Sequence, residues 1–333
     1  MSKKNLYALC FLFFATFMTL PQSFAQNIPR GINLTGKERI WERQSFEAKE
    51  IIQDIQVLRD NGFGSIRLPI AFDQYLNKDK NFLRELKQVV QYTESNEIVL
   101  ILAYFDHGLD NNNAQRQAKS ITRNWRKVLK NIESDSKNLY IELVNEPNIN
   151  PSVWEDIAPK IIKGVHKENR KIPIIVGGTN FNSLFELSRT KPFDFQNIIY
   201  TFHYYEPYIF THQGTEWTGK QNATLGIPYP FQQNKMPNLS VKAKGTEGEI
   251  NHRDYALTGN KTAVIDKISQ ISTWAKNNQV QLWCTEYGAS HNAAKDSRIA
   301  YLRDVEEVLS TYKIPGFVWE WEGNFGIREL LNK

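Results

Sequence analysis

Cysteine is nearly missing from this chain: 333 residues hold two, Cys10 and Cys284. That excludes a disulfide framework, so stability has to come from the size of the core. Histidine is sparse too. The six, His107, His166, His203, His212, His252 and His291, are scattered, and no His-x-His follows the first apolar run. A metal-dependent hydrolase would need them clustered at strand ends. Long Lys/Arg blocks are missing and the net charge is only +5, so nothing points to a nucleic-acid partner. No glycine-rich phosphate loop follows the first strand-like run. A phosphate-ester barrel would want a glycine-rich grip after the seventh and eighth strands, and Gly177-Gly178 follows the fifth instead, where a tight turn is the simpler use. Internal repeats and low-complexity tails are absent.

The composition is otherwise ordinary for a globular enzyme, with 41% hydrophobic, 23% charged and 12% aromatic residues. The first 25 residues stand apart. Lys3 and Lys4 precede an apolar run, Leu6–Leu20, and Ser23-Phe24-Ala25 ends in small residues before Gln26. This is the plan of a signal peptide cleaved after Ala25. The run is too short for a membrane span, and no later segment is apolar enough for one. Cys10 sits inside the run after Tyr7-Ala8-Leu9, a poor lipidation site. The expectation is an exported protein, periplasmic or extracellular, with residues 26–333 as one catalytic domain. Nothing suggests an oligomer, and a monomer is expected.

Strands and helices alternate along that domain. Eight β-rich apolar runs recur at Gly31–Leu34, Ser65–Ile70, Ile98–Tyr104, Leu139–Asn145, Pro173–Gly177, Ile198–Tyr205, Val280–Glu286 and Phe317–Trp321. Between them, helical periodicity predicts helices over Phe46–Asn61, Asn81–Ser95, Ala114–Ile132, Pro151–Asn169, Lys261–Asn277 and Lys295–Thr311. Alternation of this kind implies a parallel sheet with right-handed crossovers. Eight units imply an α/β fold of the (β/α)8 TIM-barrel type in a single domain. A doubly wound open sheet is the alternative. Residues 206–260 break the rhythm, being rich in Pro, Gly and Asn. They carry Tyr208, Phe210, Trp217, Tyr229 and Phe231, which predicts a folded, functional insertion rather than disorder.

In such a barrel the chemistry belongs at the C-terminal ends of the strands. The second run contains Arg67. Asp106 and His107 follow the third. The fourth ends Asn145-Glu146-Pro147, the sixth holds His203 and Tyr205, the seventh ends in Glu286, and the eighth carries Trp319, Glu320 and Trp321. Glu146 and Glu286 would then face each other across the mouth, ringed by aromatics. Glycoside hydrolysis needs such a pair, one carboxylic acid to protonate the leaving oxygen and one carboxylate to attack or assist at the anomeric carbon. Repulsion between them keeps one protonated. Each residue also has an ordinary reading. A lone Glu at a strand end is commonly solvated or salt-bridged, His203 could be a satisfied core histidine, Arg67 could pair with a buried acid, and Trp319 and Trp321 could be packing. Trp319 and Trp321 would share one face of a regular strand, as would Glu142 and Glu146. Glu142 reads as a deeper, hydrogen-bonded polar residue.

Ile66-Arg67-Leu68-Pro69, Leu143-Val144-Asn145-Glu146-Pro147, Phe202-His203-Tyr204-Tyr205-Glu206-Pro207, Thr285-Glu286-Tyr287-Gly288 and Val318-Trp319, in that order, resemble glycoside hydrolase family 5, relatives of secreted endoglucanases. The resemblance runs from Gly31 to Trp319. It implies a retaining (β/α)8 enzyme without metal or organic cofactor, with Glu146 as acid/base and Glu286 as nucleophile. It implies further that Asn145 binds the sugar 2-hydroxyl and that Arg67 and Tyr205 hold Glu286. His203 would lie near the acid/base, and Trp319 would floor the cleaved subsite. One departure follows the third run, where such enzymes carry a stretch like Leu-His-His and this chain has Ala103-Tyr104-Phe105-Asp106-His107. Either His107 or Asp106 is expected to fill that place. Phe210-Thr211-His212-Gln213-Gly214 resembles a stretch of some bacterial members and is given no catalytic role.

The expected function is hydrolysis of a β-linked glucan polysaccharide or oligosaccharide by double displacement. β-Mannanase or exo-β-glucanase action, and a secreted carbohydrate-binding barrel without turnover, are the alternatives. A retaining pair should stand about 5–5.5 Å apart, an inverting pair about 6.5–9.5 Å.

Overall fold

The structure, a computed structural model, describes residues 28–42, 45–134 and 136–331. The leader expected over residues 1–25 lies outside the described residues. Eight parallel strands close in sequence order into a barrel. They are β1 (Gly31–Asn33), β2 (Ser65–Ile70), β3 (Val99–Tyr104), β4 (Leu139–Glu142), β5 (Ile174–Gly177), β6 (Ile198–Tyr204), β7 (Gln281–Tyr287) and β8 (Gly316–Val318). Closure is made by β1 pairing β8, Gly31 opposite Phe317 and Ile32 opposite Val318. The barrel is therefore closed and the open-sheet alternative falls away.

Seven crossover helices surround it: α1 (Ala48–Asp60), α2 (Phe82–Ser95), α3 (Ala114–Ile132), α4 (Pro151–Glu168), α5 (Leu184–Arg189), α6 (Lys261–Asn277) and α7 (Lys295–Thr311). Six lie where the periodicity puts them. The short α5 does not, because six residues are too few to display a helical period. Pro151 opens α4 at a position where the missing N–H costs nothing. The apolar faces of these helices bury Ile55, Leu86, Trp125, Ile161, Ile268 and Val305 against the outside of the sheet. A separate cluster of Ile101, Tyr140, Ile175, Ile199, Trp283 and Phe317 fills the lower barrel. It supports a polar layer above it in which Asn33, Arg67, Glu142, Thr201 and Thr285 are fully buried.

Residues 206–260 fold onto the β6–β7 side as short helical turns. Phe210 and Tyr229 are buried, and Tyr229 donates to Asp304 of α7 at 3.2 Å. Gln213 pins the segment, donating to the carbonyls of Phe210 and Ile227 and accepting from the Ile227 amide.

Two strand ends differ from expectation. β4 stops at Glu142, and Glu146 itself adopts the left-handed region at φ 47°, so alternation along a regular strand does not carry from Glu142 to Glu146. β8 stops at Val318, and the Trp319–Glu320 peptide is cis. Trp319 and Trp321 lie beyond the end of β8 and do not share a strand face. Trp321 is buried against Phe63, whereas Trp319 is half-buried at the mouth.

Candidate active site

Arg67 on β2 is the hub of the polar layer. Its Nε and one Nη donate to the two oxygens of Glu142 at 2.7 and 2.8 Å. The other Nη reaches Asn33 Oδ1 and Glu286 Oε1, both at 2.7 Å, and a further bond meets Asn145 Oδ1 at 2.7 Å. A fully buried guanidinium is tolerable only when its donors are met in this way. Glu142 and Glu286 push its pKa further up against the desolvation that would lower it. Asn33 is fixed in turn, donating to the carbonyls of Thr285 and Val318. One side chain thus joins β1, β2, β7 and the β4 end.

Glu286 accepts from Arg67 on one oxygen and from the Tyr205 hydroxyl at 2.8 Å on the other. Its inward aim comes from a register irregularity between Cys284 and Tyr287. In a regular strand Thr285 and Glu286 would face opposite sides. Here Thr285 Oγ1 lies 3.1 Å from His203 Nε2 while Glu286 still meets Arg67. Bulges re-aim side chains at such sites. Gly288, just beyond, allows the chain past β8: a Cβ there would stand 2.1 Å from the Trp319 carbonyl oxygen.

Glu146 sits across from this group, its Oε1 2.6 Å from His203 Nδ1. Oxygens of Glu146 and Glu286 and a nitrogen of His203 all lie within 4.8 Å of one another. Three such donors could in principle surround a cation. The Arg67 guanidinium already neutralises Glu286 at 2.7 Å, so a second positive charge would be repelled at this spot.

Burial raises the Glu146 carboxyl to about 7, with Glu142 adding to the rise and Arg67 opposing it. Burial also lifts Glu286 to about 7, against the pull of His203, Arg67 and the Tyr205 hydroxyl and with a further push from Glu146. Two acids this close titrate as a pair. The first proton leaves Glu286, which alone holds a charged guanidinium and a phenol directly. Burial lowers His203 to about 4, so the imidazole is neutral near pH 7. The site therefore offers an ionised carboxylate opposite a protonated one.

Two residues absent from the sequence-based set shape the site. Asn182, fully buried in the loop after β5, puts its amide 3.1 Å from His203 Nε2. Its Oδ1 has no partner among the described residues. A half-turn of the amide sets Oδ1 against Nε2–H and leaves Nδ1 to accept from protonated Glu146. Phe105, after β3, stacks on Trp319 with centroids 6.2 Å apart and lies 5.7 Å below the Arg67 guanidinium carbon. No local pattern marks either one, since both act through partners distant in sequence.

The predicted residues fall into two groups. Arg67, Asn145, Glu146, His203, Tyr205 and Glu286 share one hydrogen-bonded network, and Trp319 borders it through Phe105. His107 is not brought in. It is exposed on the rim, with Nε2 3.0 Å from the Glu38 carbonyl oxygen and its ring edge-on to Trp41. Asp106 accepts from the Gly108 amide and from Gln117, tying down its own loop. The place after β3 nearest Arg67 is taken by Phe105. His212 stacks on Tyr208 at 3.8 Å and packs edge-on behind Tyr205 at 5.1 Å, so its segment backs the Glu286 partner.

A closed (β/α)8 barrel with a carboxylate pair at its mouth, Glu286 buried and Glu146 half-buried, defines the class, a hydrolase of O-glycosyl bonds. The family profile Cellulase (glycosyl hydrolase family 5) matches residues 24–325, and the chain belongs to that family. It is 29% identical to Endoglucanase 3 of Fibrobacter succinogenes over 93% of its length, spanning 52% of that protein. It is 24% identical to Endoglucanase C of Acetivibrio thermocellus, covering 88% of this chain and 90% of the other. A hyperthermophilic endo-β-1,4-glucanase solved in complex with substrate superposes with a TM-score of 0.73 at 23% identity, over 90% of this chain and 91% of that one. Cel5A of Thermotoga maritima solved with mannotriose gives 0.73 at 19% identity, over 91% and 96%. At these identities the structural likeness establishes the fold.

Proposed function

We propose that this chain is an exported, retaining endo-β-glucanase that cleaves β-1,4-linked glucan. Glu286 attacks the anomeric carbon as nucleophile while Glu146 donates its proton to the departing sugar oxygen. Glu146 then takes a proton from water, which hydrolyses the glycosyl–Glu286 ester. Arg67 and Tyr205 keep Glu286 ionised and aimed, and His203 orients Glu146. Asn145, held by Arg67, presents its amide to the sugar 2-hydroxyl, and Trp319 floors the cleaved subsite. Export is read from the residue 1–25 leader.

The observation that carries this reading is the contrast between the two acids. Glu286 has Arg67 and Tyr205 at 2.7 and 2.8 Å, Glu146 has neutral His203 at 2.6 Å, and their oxygens lie within 4.8 Å. Oxygens this near support the retaining reading, whose carboxyls stand about 5–5.5 Å apart, over an inverting pair at about 6.5–9.5 Å.

Product release from soluble β-1,4-glucan, mannan, xylan and short oligosaccharides tests it, with the first-formed anomer followed by NMR. Retained configuration on glucan is expected, with activity down by about 10³-fold or more in Glu286→Gln. Inverted product overturns the mechanism, mannan cleavage alone overturns the substrate, and glycan binding without turnover leaves only the binding barrel.

A further inference from the structure

Away from the mouth, α3 and α4 lie side by side and enclose an open groove of about 840 Å³. Its walls are cationic. Lys119, Arg123, Arg126, Lys127 and Lys130 come from α3, and Lys160, Lys163 and Lys167 from α4, with Glu168 the sole acid among the lining residues. In a chain of net charge +5 this is a strong concentration, and folding creates it, since neither helix sequence is a basic block.

Two cross-links fix the groove. Near one end Lys160 donates to Gln115 and Asp156, at 3.1 and 2.7 Å, and Gln115 donates to Asp156. Near the other, Arg126 pairs with Glu168 at 3.2 Å. These absorb the nearby acids. Lys119, Arg123, Lys127, Lys130, Lys163 and Lys167 have no ion-pair partner among the described residues, and all are exposed. Gly164 forms part of the floor, where a Cβ would stand 2.2 Å from Thr122 Cγ2, so the helices meet closely and the cations stand as two rows above them. Lys119 to Lys130 spans about 16 Å along α3.

We infer that this groove binds a linear acidic polysaccharide of the uronic-acid class along the flank of the barrel. A groove between neighbouring helices about 8–10 Å apart admits one extended chain and not a duplex. No aromatic lines it, so it lacks stacking surfaces for the bases of single-stranded nucleic acid and for a neutral sugar face. Carboxylates along the strand relieve the repulsion between the two rows. Because its cations line a concavity, a flat anionic bilayer meets them poorly.

The test is binding of the whole protein to polygalacturonate across a salt series, beside vesicles containing phosphatidylglycerol and single-stranded DNA. Lys119→Glu/Lys127→Glu/Lys163→Glu is compared with a control of equal charge change on other faces, Lys49→Glu/Lys242→Glu/Lys244→Glu. Wild type is expected to bind polygalacturonate most tightly, with affinity falling as salt rises, and the groove variant to lose about tenfold or more while the control loses much less. Melting temperature checks that both variants fold, and binding is read independently of glucan hydrolysis. Equal loss in both variants, tighter binding to vesicles or DNA, or no binding by wild type overturns the inference.

Discussion

Arg67 bonds to more side chains at the mouth than either acid does. It meets Asn33, Glu142, Asn145 and Glu286 with hydrogen bonds of 2.7–2.8 Å, and no lysine could reproduce that fork. Arg67→Lys should lower kcat on the order of 100-fold, because a single ammonium cannot hold Glu286 and Asn145 together. The pH–rate profile should be bell-shaped in wild type. Activity is lost as pH rises through about 7 and Glu146 gives up its proton, and it is lost at low pH as Glu286 gains one. In Arg67→Lys the acidic limb should move to higher pH, since Glu286 loses close stabilisation of its charge. An unmoved limb would show that Arg67 does not tune that carboxyl. Arg67, Glu146, His203, Tyr205 and Glu286 were legible in the sequence because each lies in a recognisable strand-like run or directly after one. Asn182 and Phe105 were not, since one reaches His203 from a loop and the other substitutes an aromatic ring where a histidine was expected.

The turns that end the strands set the geometry. The loop after β5 carries Asn182 over Gly177, and a Cβ on Gly177 would stand 1.9 Å from Asn182 Oδ1. Gly177→Ala should therefore push the loop off His203, costing about 1–3 kcal/mol in a urea melt and reducing kcat more than it alters KM. Full activity in that variant would remove Asn182 from the His203 relay. Hydrophobic runs predicted every strand, yet not where β4 and β8 stop nor that Thr285 and Glu286 both turn inward. Those features depend on hydrogen bonds between neighbouring strands, as when the Asn145 amide donates to Tyr104 and the Trp319 amide to Tyr287. The insertion was legible as folded from its aromatics, while its partner, α7, was not.

Across the whole molecule, the site opposes the fold. Glu146 is held near 7 when folded, against 4.5 for the free side chain. Its folded pKa is the higher one, so its contribution is most favourable below about 4.5 and is lost as pH rises through about 7. Glu146→Gln removes that titration. The variant should gain about 1–2 kcal/mol on wild type between pH 4 and pH 8, a melting-temperature difference that widens by a few degrees. A difference independent of pH would contradict the burial of this carboxyl. Barrel class and family were readable from strand count and motif order, whereas the basic flank was not, because it exists only once α3 and α4 pack.

Arg67 ties the first, second and seventh strands to the end of the fourth from inside the barrel. The same guanidinium that aims the carboxylate also clamps the cylinder across its width. Such a centre has no way to slacken on its own: heat that disarms it must first part the staves, and the loss of turnover on warming will trace the melting of the protein itself.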